Sequence, residues 1–318
     1  MILRWTAFLL AIGFACSERD SVPSLPVKRQ VAEKSFSVDV PKPAFPAAKG
    51  PLILVDEGHN NYHTASGRYY GFAELLRRDG YVVEPSTGAF SSTSLHSCSI
   101  LVISNALNQK NQGGTDKWQL PTPGAFTRQE LSIVKRWVKV GGALLLIADH
   151  MPFPGAASDL AREFGVIFTN SFAWNQRRDR EIIFRRSDNT LSDHAITNGR
   201  SREERVDSVA TFTGQAFFSA AGASLHSLLI FGDGIYADFP QKAWEFAKTV
   251  PDSSVEHWLQ GAVLTYGRGR VAIFGEAAMF TTQKAAATHA PMGFNAPAAR
   301  QNAQFILNVM HWLSRIID

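Results

Sequence analysis

The sequence is poor in cysteine and lacks the short motifs that mark several common enzyme classes. Its 318 residues include two cysteines, Cys16 and Cys98. If Cys16 is cleaved off or modified, Cys98 has no partner for an intrachain disulfide, which excludes a disulfide framework. No HExxH, GxSxG, P-loop or CxxC pattern occurs. This argues against the zinc, serine-nucleophile, nucleotide and redox sites that those patterns build, and we expect no nucleotide cofactor.

The sequence also lacks a strong excess of charge of one sign. Its formal net charge is +4, and the basic residues are scattered apart from short clusters at 177–180 and 200–205. No basic stripe with interleaved aromatic residues is present, so we expect no nucleic acid partner. With 45% hydrophobic and 19% charged residues, the composition is that of a globular protein of one large or two small domains.

A short apolar run near the N-terminus is typical of an export signal. The run at 5–15 is too short to span a bilayer stably, and the chain turns polar directly after Cys16. The segment resembles a bacterial lipoprotein signal, which makes 1–16 the signal peptide and Cys16 the lipidated residue. Gly13 and Phe14 depart from the usual lipobox, so an ordinary secretory signal stays open. We expect a protein of the cell envelope, lipid-anchored to the membrane and facing the periplasm or the exterior, or alternatively a secreted protein.

The segment that follows the signal is predicted to be a flexible tether. Residues 17–50 are rich in Pro, Ser, Lys and Ala and show no sustained apolar period. Residues 51–318 are predicted to form a single domain, because apolar strand-like runs alternate there with amphipathic stretches.

The order of these runs predicts an α/β domain, with a mostly parallel sheet flanked by helices and an added β-hairpin. A capping box at Thr127 and Glu130 marks the start of one helix, and 267–269 is a hairpin turn signal. The predicted strands are 51–56, 81–84, 100–105, 143–148, 166–168, 209–218, 225–231, 262–266 and 270–274. The other predicted helices are 69–78, 160–164 and 298–317.

Ionisable side chains follow three of the predicted strands at the point where each strand ends. Parallel strands place their carboxyl ends at one edge of the sheet, which is where such sheets bind ligands. The three sets are Asp56, Glu57, His59 and His63 after the first strand, Asp149 and His150 after the fourth, and Glu276 after the last. We therefore expect these groups to converge in one site.

The residue types in this predicted site allow two kinds of chemistry. Carboxylates and imidazoles together suit zinc or a similar divalent metal, with Asp56, His59 and His150 as its ligands. Without a metal, Asp149, His150 and Glu276 can act as general acid and base. Five further polar residues are predicted to bind substrate: Glu57, Asn60, Asn105, Gln215 and Asn295.

Structural roles are the alternatives for the same residues. Asp56 and Asp149 can each cap the turn that follows their strand. Glu276 is flanked by apolar residues, and a buried carboxylate needs a partner such as Arg68, Arg185 or Arg300. Tryptophans in irregular segments can stack on sugar rings or anchor loops to the core, and these are Trp118, Trp174, Trp244 and Trp258.

Three segments carry a resemblance to a known superfamily. They are 141–150, which ends in Asp149-His150, the His-Ala-Ile-Thr-Asn-Gly segment at 194–199, and 267–276, which ends in Glu276. Over about 51–318 the sequence resembles the class I glutamine amidotransferase-like superfamily, and most closely its extracytoplasmic ThuA-like branch. The resemblance implies a flavodoxin-like fold.

The same resemblance excludes the usual amidotransferase mechanism. True amidotransferases carry a nucleophilic cysteine after the fourth strand, where this sequence has Asp149-His150, so no Cys-His-Glu triad carries over. We expect an exported hydrolase that acts on a sugar, amide or ester derivative, with or without a divalent metal. The alternative is a non-catalytic envelope lipoprotein that binds a carbohydrate or a partner protein.

Overall fold

A computed structural model describes residues 30–113, 118–175, 181–246 and 253–318. The predicted signal peptide, the lipidation residue Cys16 and the first part of the predicted tether lie outside these ranges. Within the ranges, no helix is long and apolar enough to cross a membrane.

The described chain forms sixteen strands and five α-helices. The strands are β1 (Gln30–Ala32), β2 (Leu52–Asp56), β3 (Val82–Ser86), β4 (Ile100–Ser104), β5 (Ala143–Ile147), β6 (Val166–Phe168), β7 (Phe172–Asn175), β8 (Ile182–Arg185), β9 (Ser208–Thr211), β10 (Phe217–Ser219), β11 (His226–Ile230), β12 (Ile235–Asp238), β13 (Ser253–Ser254), β14 (Leu259–Tyr266), β15 (Gly269–Phe274) and β16 (Gln283–Ala285). The helices are α1 (Tyr70–Arg78), α2 (Arg128–Lys139), α3 (Phe153–Glu163), α4 (Ala195–Asn198) and α5 (Asn302–Leu313).

The central sheet has nine strands, and five of them are parallel neighbours. Their spatial order is β3-β2-β4-β5-β15, and every pair in that run is parallel. This is the flavodoxin-like order: of the five parallel strands, the second in sequence, β3, lies at the edge beside the first, β2. The sheet continues antiparallel through β14, β10 and β6, with β11 also paired to β14. The predicted fold class, a mostly parallel sheet flanked by helices with an added hairpin, is confirmed.

The parallel strands read as continuous apolar runs because both faces of the sheet are covered. Alternate residues of β5 point to opposite sides: Leu145 and Ile147 join the core under α1 and α5, while Leu144 and Leu146 join the core under α2 and α3. Burial on both faces is what favours unbroken Leu, Ile and Val in a parallel strand. The core thus holds the strands rigidly and leaves their carboxyl ends to carry polar groups.

Among the predicted elements that differ from the observed ones in extent, two differ for a clear physical reason. Helix α3 begins at Phe153 rather than at 160, since its first turns are built from small residues that show no amphipathic period. The predicted strand 209–218 is two strands, because Gly214 adopts a φ of +102° that ends the extended backbone. The capping box of α2 is confirmed: Thr127 Oγ1 accepts from Glu130 N, and Glu130 Oε2 accepts from Thr127 N at 2.9 Å.

The later part of the predicted tether lies on the domain. Strand β1 pairs antiparallel with β16, and the ring of Phe45 packs on Tyr81 with centroids 5.1 Å apart. Four apolar side chains of this stretch contact the main core: Phe36, Val38, Val40 and Phe45. From Gln30 onward the structure therefore differs from the expected tether, because isolated apolar residues anchor the stretch without any periodic pattern that would predict secondary structure.

Candidate active site at the carboxyl ends of β5 and β15

Two buried carboxylates meet where β5 and β15 end. The strands are parallel neighbours, and Ile147 lies directly opposite Phe274 in their register. Asp149 and Glu276 each follow two residues later, so the same register brings them to the same edge of the sheet. Glu276 is 1% exposed and Asp149 is 9% exposed. Two carboxyl groups placed this way repel each other when both are ionised.

Glu276 is held by backbone groups rather than by a basic side chain. Its carboxylate accepts hydrogen bonds from Ala278 N at 3.0 Å and Met279 N at 2.7 Å. In the described part of the chain no Lys, Arg or His nitrogen lies within 4.0 Å of it, so the alternative of an ion pair with an arginine is wrong for Arg68, Arg185 and Arg300. Burial raises the pKa of Glu276 well above its ordinary value, and the charge of Asp149 raises it further.

Asp149 is fixed from both sides by hydrogen bonds. Its Oδ1 accepts from the backbone N–H of His150 at 2.8 Å, and its own N–H donates to Asn105 Oδ1 at 2.9 Å. Burial raises the pKa of Asp149, although His150 and the N–H donors counteract part of that rise. With the pKa of both carboxyl groups raised, the pair resists carrying two negative charges at once.

His150 has one ring nitrogen, Nε2, without a hydrogen-bond partner among the described residues. Its Nδ1–H donates to Met151 O at 2.8 Å, so in the neutral ring Nε2 is the acceptor. The ring stacks on Phe172 with centroids 4.6 Å apart, and Trp244 meets its edge at 4.7 Å. Because His150 is half-buried and Trp244 is 41% exposed, aromatic side chains line the approach to this nitrogen.

A second histidine is buried beside the carboxylates in a chain of hydrogen bonds. His63 Nδ1–H donates to Ser104 Oγ at 3.2 Å, Ser104 donates to Tyr69 Oη at 2.9 Å, and Tyr69 donates to Ala277 O at 3.4 Å. Burial lowers the pKa of His63 well below its ordinary value, and the nearby charges of Arg68 and His150 lower it further. His63 is therefore neutral, with its Nε2 unprotonated.

Asp56 and His59 form a separate cluster with Glu130. His59 Nδ1 donates to Asp56 Oδ1 at 2.9 Å, and its Nε2 donates to Glu130 Oε1 at 2.9 Å. Burial lowers the pKa of His59, but the two carboxylates outweigh burial and the pKa is raised. The imidazole thus ties the loop after β2 to the start of α2.

The predicted metal ligands do not assemble into a metal site. Both ring nitrogens of His59 are occupied by carboxylates, and His150 belongs to the other cluster. Across the residues that the structure describes, no group of three or more His, Cys, Asp or Glu side chains is placed to hold a metal ion. The arrangement of Asp56, His59 and His150 therefore does not fit zinc.

The five predicted substrate-binding residues differ in position and in hydrogen-bond partners. Asn105 lies in the site, fully buried, and its Nδ2–H donor has no partner among the described residues. The amide of Gln215 is fully used, donating to Ala148 O and accepting from Thr169 N. The remaining three bond to nearby backbone: Glu57 to Ala65 N, Asn60 to Leu107 O and Asn295 to Gln283 O.

A cavity of about 620 Å³ opens at the opposite, amino-terminal edge of the sheet. Its wall includes Cys98, Ile100, Trp137 and Gly142. Burial raises the pKa of the Cys98 thiol to about 12. A thiol that stays protonated is a poor nucleophile, and the carboxylates lie at the other end of the strands. The candidate site is therefore the edge that carries Asp149 and Glu276.

Replacing Glu130 by glutamine is expected to lower the free energy of unfolding by about 2–3 kcal/mol at pH 7, through the loss of charge-assisted hydrogen bonds in a buried site. Burial raises the pKa of Glu130, but Thr127, His59 and Phe90 N outweigh it and hold it at about 2. Since the unfolded carboxyl titrates near 4.5, this stabilisation is present above pH 4.5 and is lost as the pH falls towards 2.

Urea unfolding of wild type and Glu130→Gln across this pH range measures the effect. The matched control is Glu163→Gln, which removes a surface pair with Lys135 and should cost less than about 1 kcal/mol. Equal losses in the two variants, or a loss for Glu130→Gln that does not shrink as the pH falls, would contradict the prediction.

Comparison with known proteins adds support for the fold and none for a family. No protein-family model matches the sequence, and no curated protein matches it. Among solved structures the chain is similar to the mmIFT52 N-terminal domain, with a TM-score of 0.57 and 13% identity over 82% of this chain and 97% of that one. At this identity the likeness shows the fold alone.

Two further structural neighbours are more distant. A putative ThuA-like protein from Bacteroides uniformis has a TM-score of 0.47 and 10% identity, over 85% of this chain and 94% of that one. The cold-adapted β-galactosidase from Rahnella sp. R3 has a TM-score of 0.43 and 9% identity. That match covers 83% of this chain and only 31% of the galactosidase.

Proposed function

We propose that the protein is a hydrolase that uses acid–base catalysis at the site formed by Asp149, His150 and Glu276. The observation that carries the proposal is the buried carboxylate pair at the ends of β5 and β15, next to a histidine with a free Nε2. Raised carboxyl pKa values and an oriented imidazole are the usual features of acid–base sites. The proposed substrate is a sugar derivative, or an amide or ester of similar size.

Each residue has a defined part in the proposed reaction. His150 Nε2 accepts a proton from a water molecule as the water oxygen bonds to the carbon under attack. The proton held by the Asp149–Glu276 pair passes to the leaving group as its bond to that carbon breaks. The carboxyl pair thereby takes up one negative charge and the imidazole one positive charge, and a proton transfer back restores both.

The raised pKa of Glu276 suits the acid role. A carboxylic acid of ordinary pKa is ionised at neutral pH and has no proton to donate, whereas burial keeps this one protonated to higher pH. Activity that depends on it declines as the pH rises through the raised pKa. Tyr69 lies close enough for both carboxylates to affect its pKa, which burial raises well above its ordinary value.

A non-catalytic carbohydrate-binding protein is the second candidate, and one observation favours it. Backbone N–H groups already satisfy the carboxylate of Glu276, and His150 N and Asn105 fix Asp149. Such contacts are also those of carboxylates that shape turns. In this case the exposed face of Trp244 and the rings beside it would stack on a sugar.

We also propose that the chain belongs to the class I glutamine amidotransferase-like superfamily, as a member that lacks the nucleophilic cysteine. The flavodoxin-like strand order supports this. The place after β5 that holds the cysteine in true amidotransferases carries Asp149-His150 here. A member of this kind is expected not to hydrolyse glutamine.

A panel of nitrophenyl glycosides, nitrophenyl esters and anilides, with glutamine included, tests the two candidates. The hydrolase proposal expects turnover of at least one member and none of glutamine. His150→Ala should reduce that turnover by about 10²–10⁴, while the control His226→Ala, an exposed position on β11, should leave it unchanged. No turnover of any member, with saturable binding of a sugar, would contradict the hydrolase and favour the binding protein.

A further inference from the structure

Arg68 has no ionic partner among the described residues, and ring contacts link it to the candidate active site. Arg68 is half-buried, and its guanidinium lies over the ring of Tyr62 at 3.9 Å. It donates one hydrogen bond, from Nη2 to Gln30 O at 3.0 Å. Within the described ranges no carboxylate oxygen lies within 4.0 Å of it. Most of its five N–H donors are therefore available to a ligand.

A continuous path of contacts connects Arg68 with the reacting groups. Tyr62 N donates to Asn105 O at 3.0 Å, and the Tyr62 ring packs on Phe153 with centroids 5.5 Å apart. Phe153 in turn contacts His150 at 5.8 Å. Arg68 and His150 are also both close enough to His63 for their charges to lower its pKa. The rings of Tyr62 and Phe153 thus connect the guanidinium with His150.

The charges of this site favour an anion at Arg68 over one beside the carboxyl groups. Asp149 and Glu276, when ionised, would repel an anion that came close to them. Arg68 stands apart from them across the Tyr62 and Phe153 rings. A planar guanidinium binds carboxylate or phosphate through paired hydrogen bonds, and aromatic rings stack on the apolar faces of sugars.

We propose that the site takes a sugar with an anionic substituent, whose charged group binds Arg68 while its ring lies against the aromatic side chains next to His150. The inference rests on the proposed function, because it names the substrate class of the same site. It assigns Arg68 as a residue that determines specificity and gives it no part in bond cleavage.

Equilibrium binding tests the proposal without any need for turnover. The probes are glucuronate and galacturonate, each against its neutral sugar, and glucose 6-phosphate, all followed by titration calorimetry. Wild type is expected to bind at least one anionic sugar about 10–100-fold more tightly than the neutral one, the usual range for a charge-assisted pair. The uronates and the phosphate separate a carboxylate site from a phosphate site.

Three variants make the test specific. Arg68→Met should remove the preference for the anionic sugar, Arg68→Lys should keep part of it, and Arg128→Met, at an exposed position that begins α2, should change nothing. Equal affinity for anionic and neutral sugars in wild type overturns the inference, as does a preference that survives Arg68→Met. Absence of binding by every probe also overturns it.

The same measurements separate this inference from the proposed hydrolase. An Arg68-dependent preference with no hydrolysis of nitrophenyl glucuronide or galacturonide supports the anion site and contradicts the hydrolase. The opposite result is hydrolysis of neutral nitrophenyl glycosides that His150→Ala abolishes, with no preference for anionic sugars. That result supports the hydrolase and contradicts the anion site.

Discussion

Glu276→Gln is expected to lower hydrolytic kcat by about 10²–10⁴ at pH 7, the usual contribution of a positioned proton donor. Glutamine has nearly the same shape, but its single carbonyl oxygen can keep only one of the two N–H bonds, because Ala278 N donates to Oε1 and Met279 N donates to Oε2. It cannot donate an acidic proton. Asp149→Asn is expected to lower kcat within the same range, because the proton belongs to the pair.

The same substitution should also change how the stability of the folded protein depends on pH. The pKa of Glu276 is raised in the folded protein, so between pH 4.5 and that raised value the unfolded chain has lost a proton that the folded chain keeps. Wild type therefore loses stability as the pH rises through this window, and Glu276→Gln does not. The difference in melting temperature between wild type and the variant is therefore expected to shift in favour of the variant from pH 5 to pH 8.

Thermal melts at pH 5 and pH 8 check the predicted stability. The kcat on the substrate that the panel identifies checks the predicted activity. Glu84→Gln, an exposed carboxylate on β3, is the control for a general effect of charge on the melting temperature. A kcat within a factor of three of wild type, or a pH dependence of melting that matches wild type, would contradict the assignment of Glu276 as a buried proton donor.

His311→Ala is expected to lower the free energy of unfolding by about 3–5 kcal/mol, because it leaves a buried carboxylate without its partner. His311 Nε2 lies 2.7 Å from Asp79 Oδ2, and both side chains are fully buried. Asp79 also accepts from Ala44 N at 2.7 Å. This single pair joins the end of α1, the face of α5 and the segment that precedes β2.

A double-mutant cycle with Asp79→Ala measures the pair itself. The two single variants should each be strongly destabilised, and the double variant should be more stable than the sum of their losses predicts, since neither group is then left buried alone. His96→Ala, at an exposed position, serves as the control and should change stability by less than about 0.5 kcal/mol. Additive losses would contradict the coupling of His311 and Asp79.

The sequence predicts the fold and the edge that carries the site because both depend on local patterns. Apolar runs that end in Asp149 and Glu276 mark strand ends, and the parallel arrangement then brings the two carboxylates together. The capping box at Thr127 and Glu130 is equally local. What a pattern cannot give is the side chain that a given group meets across the fold.

Glu130 and His63 illustrate that limit. Glu130 carries a clear helix-capping signal, yet its second partner is His59, 71 residues earlier in the chain. The expected metal ligand His59 bridges Asp56 and Glu130 instead. His63 lies in a polar stretch that reads as surface loop, but it is 3% exposed and bonds to Ser104. No spacing in the sequence connects these pairs, because they depend on how loops close over the sheet.

The matched register of β5 and β15 also constrains how this site can change over evolutionary time. Ile147 lies opposite Phe274, and each carboxylate follows at the same offset. Side chains alternate between the two sides of an extended chain, so inserting or deleting one residue in either short connection would turn one carboxylate away from the other. Substitutions around the site can change the pKa of Asp149 and Glu276. Changes of length between a strand and its carboxylate would instead separate the two residues. Related chains that keep the carboxylate pair are therefore expected to share this spacing, and an alignment of such chains with unequal spacing would contradict the inference.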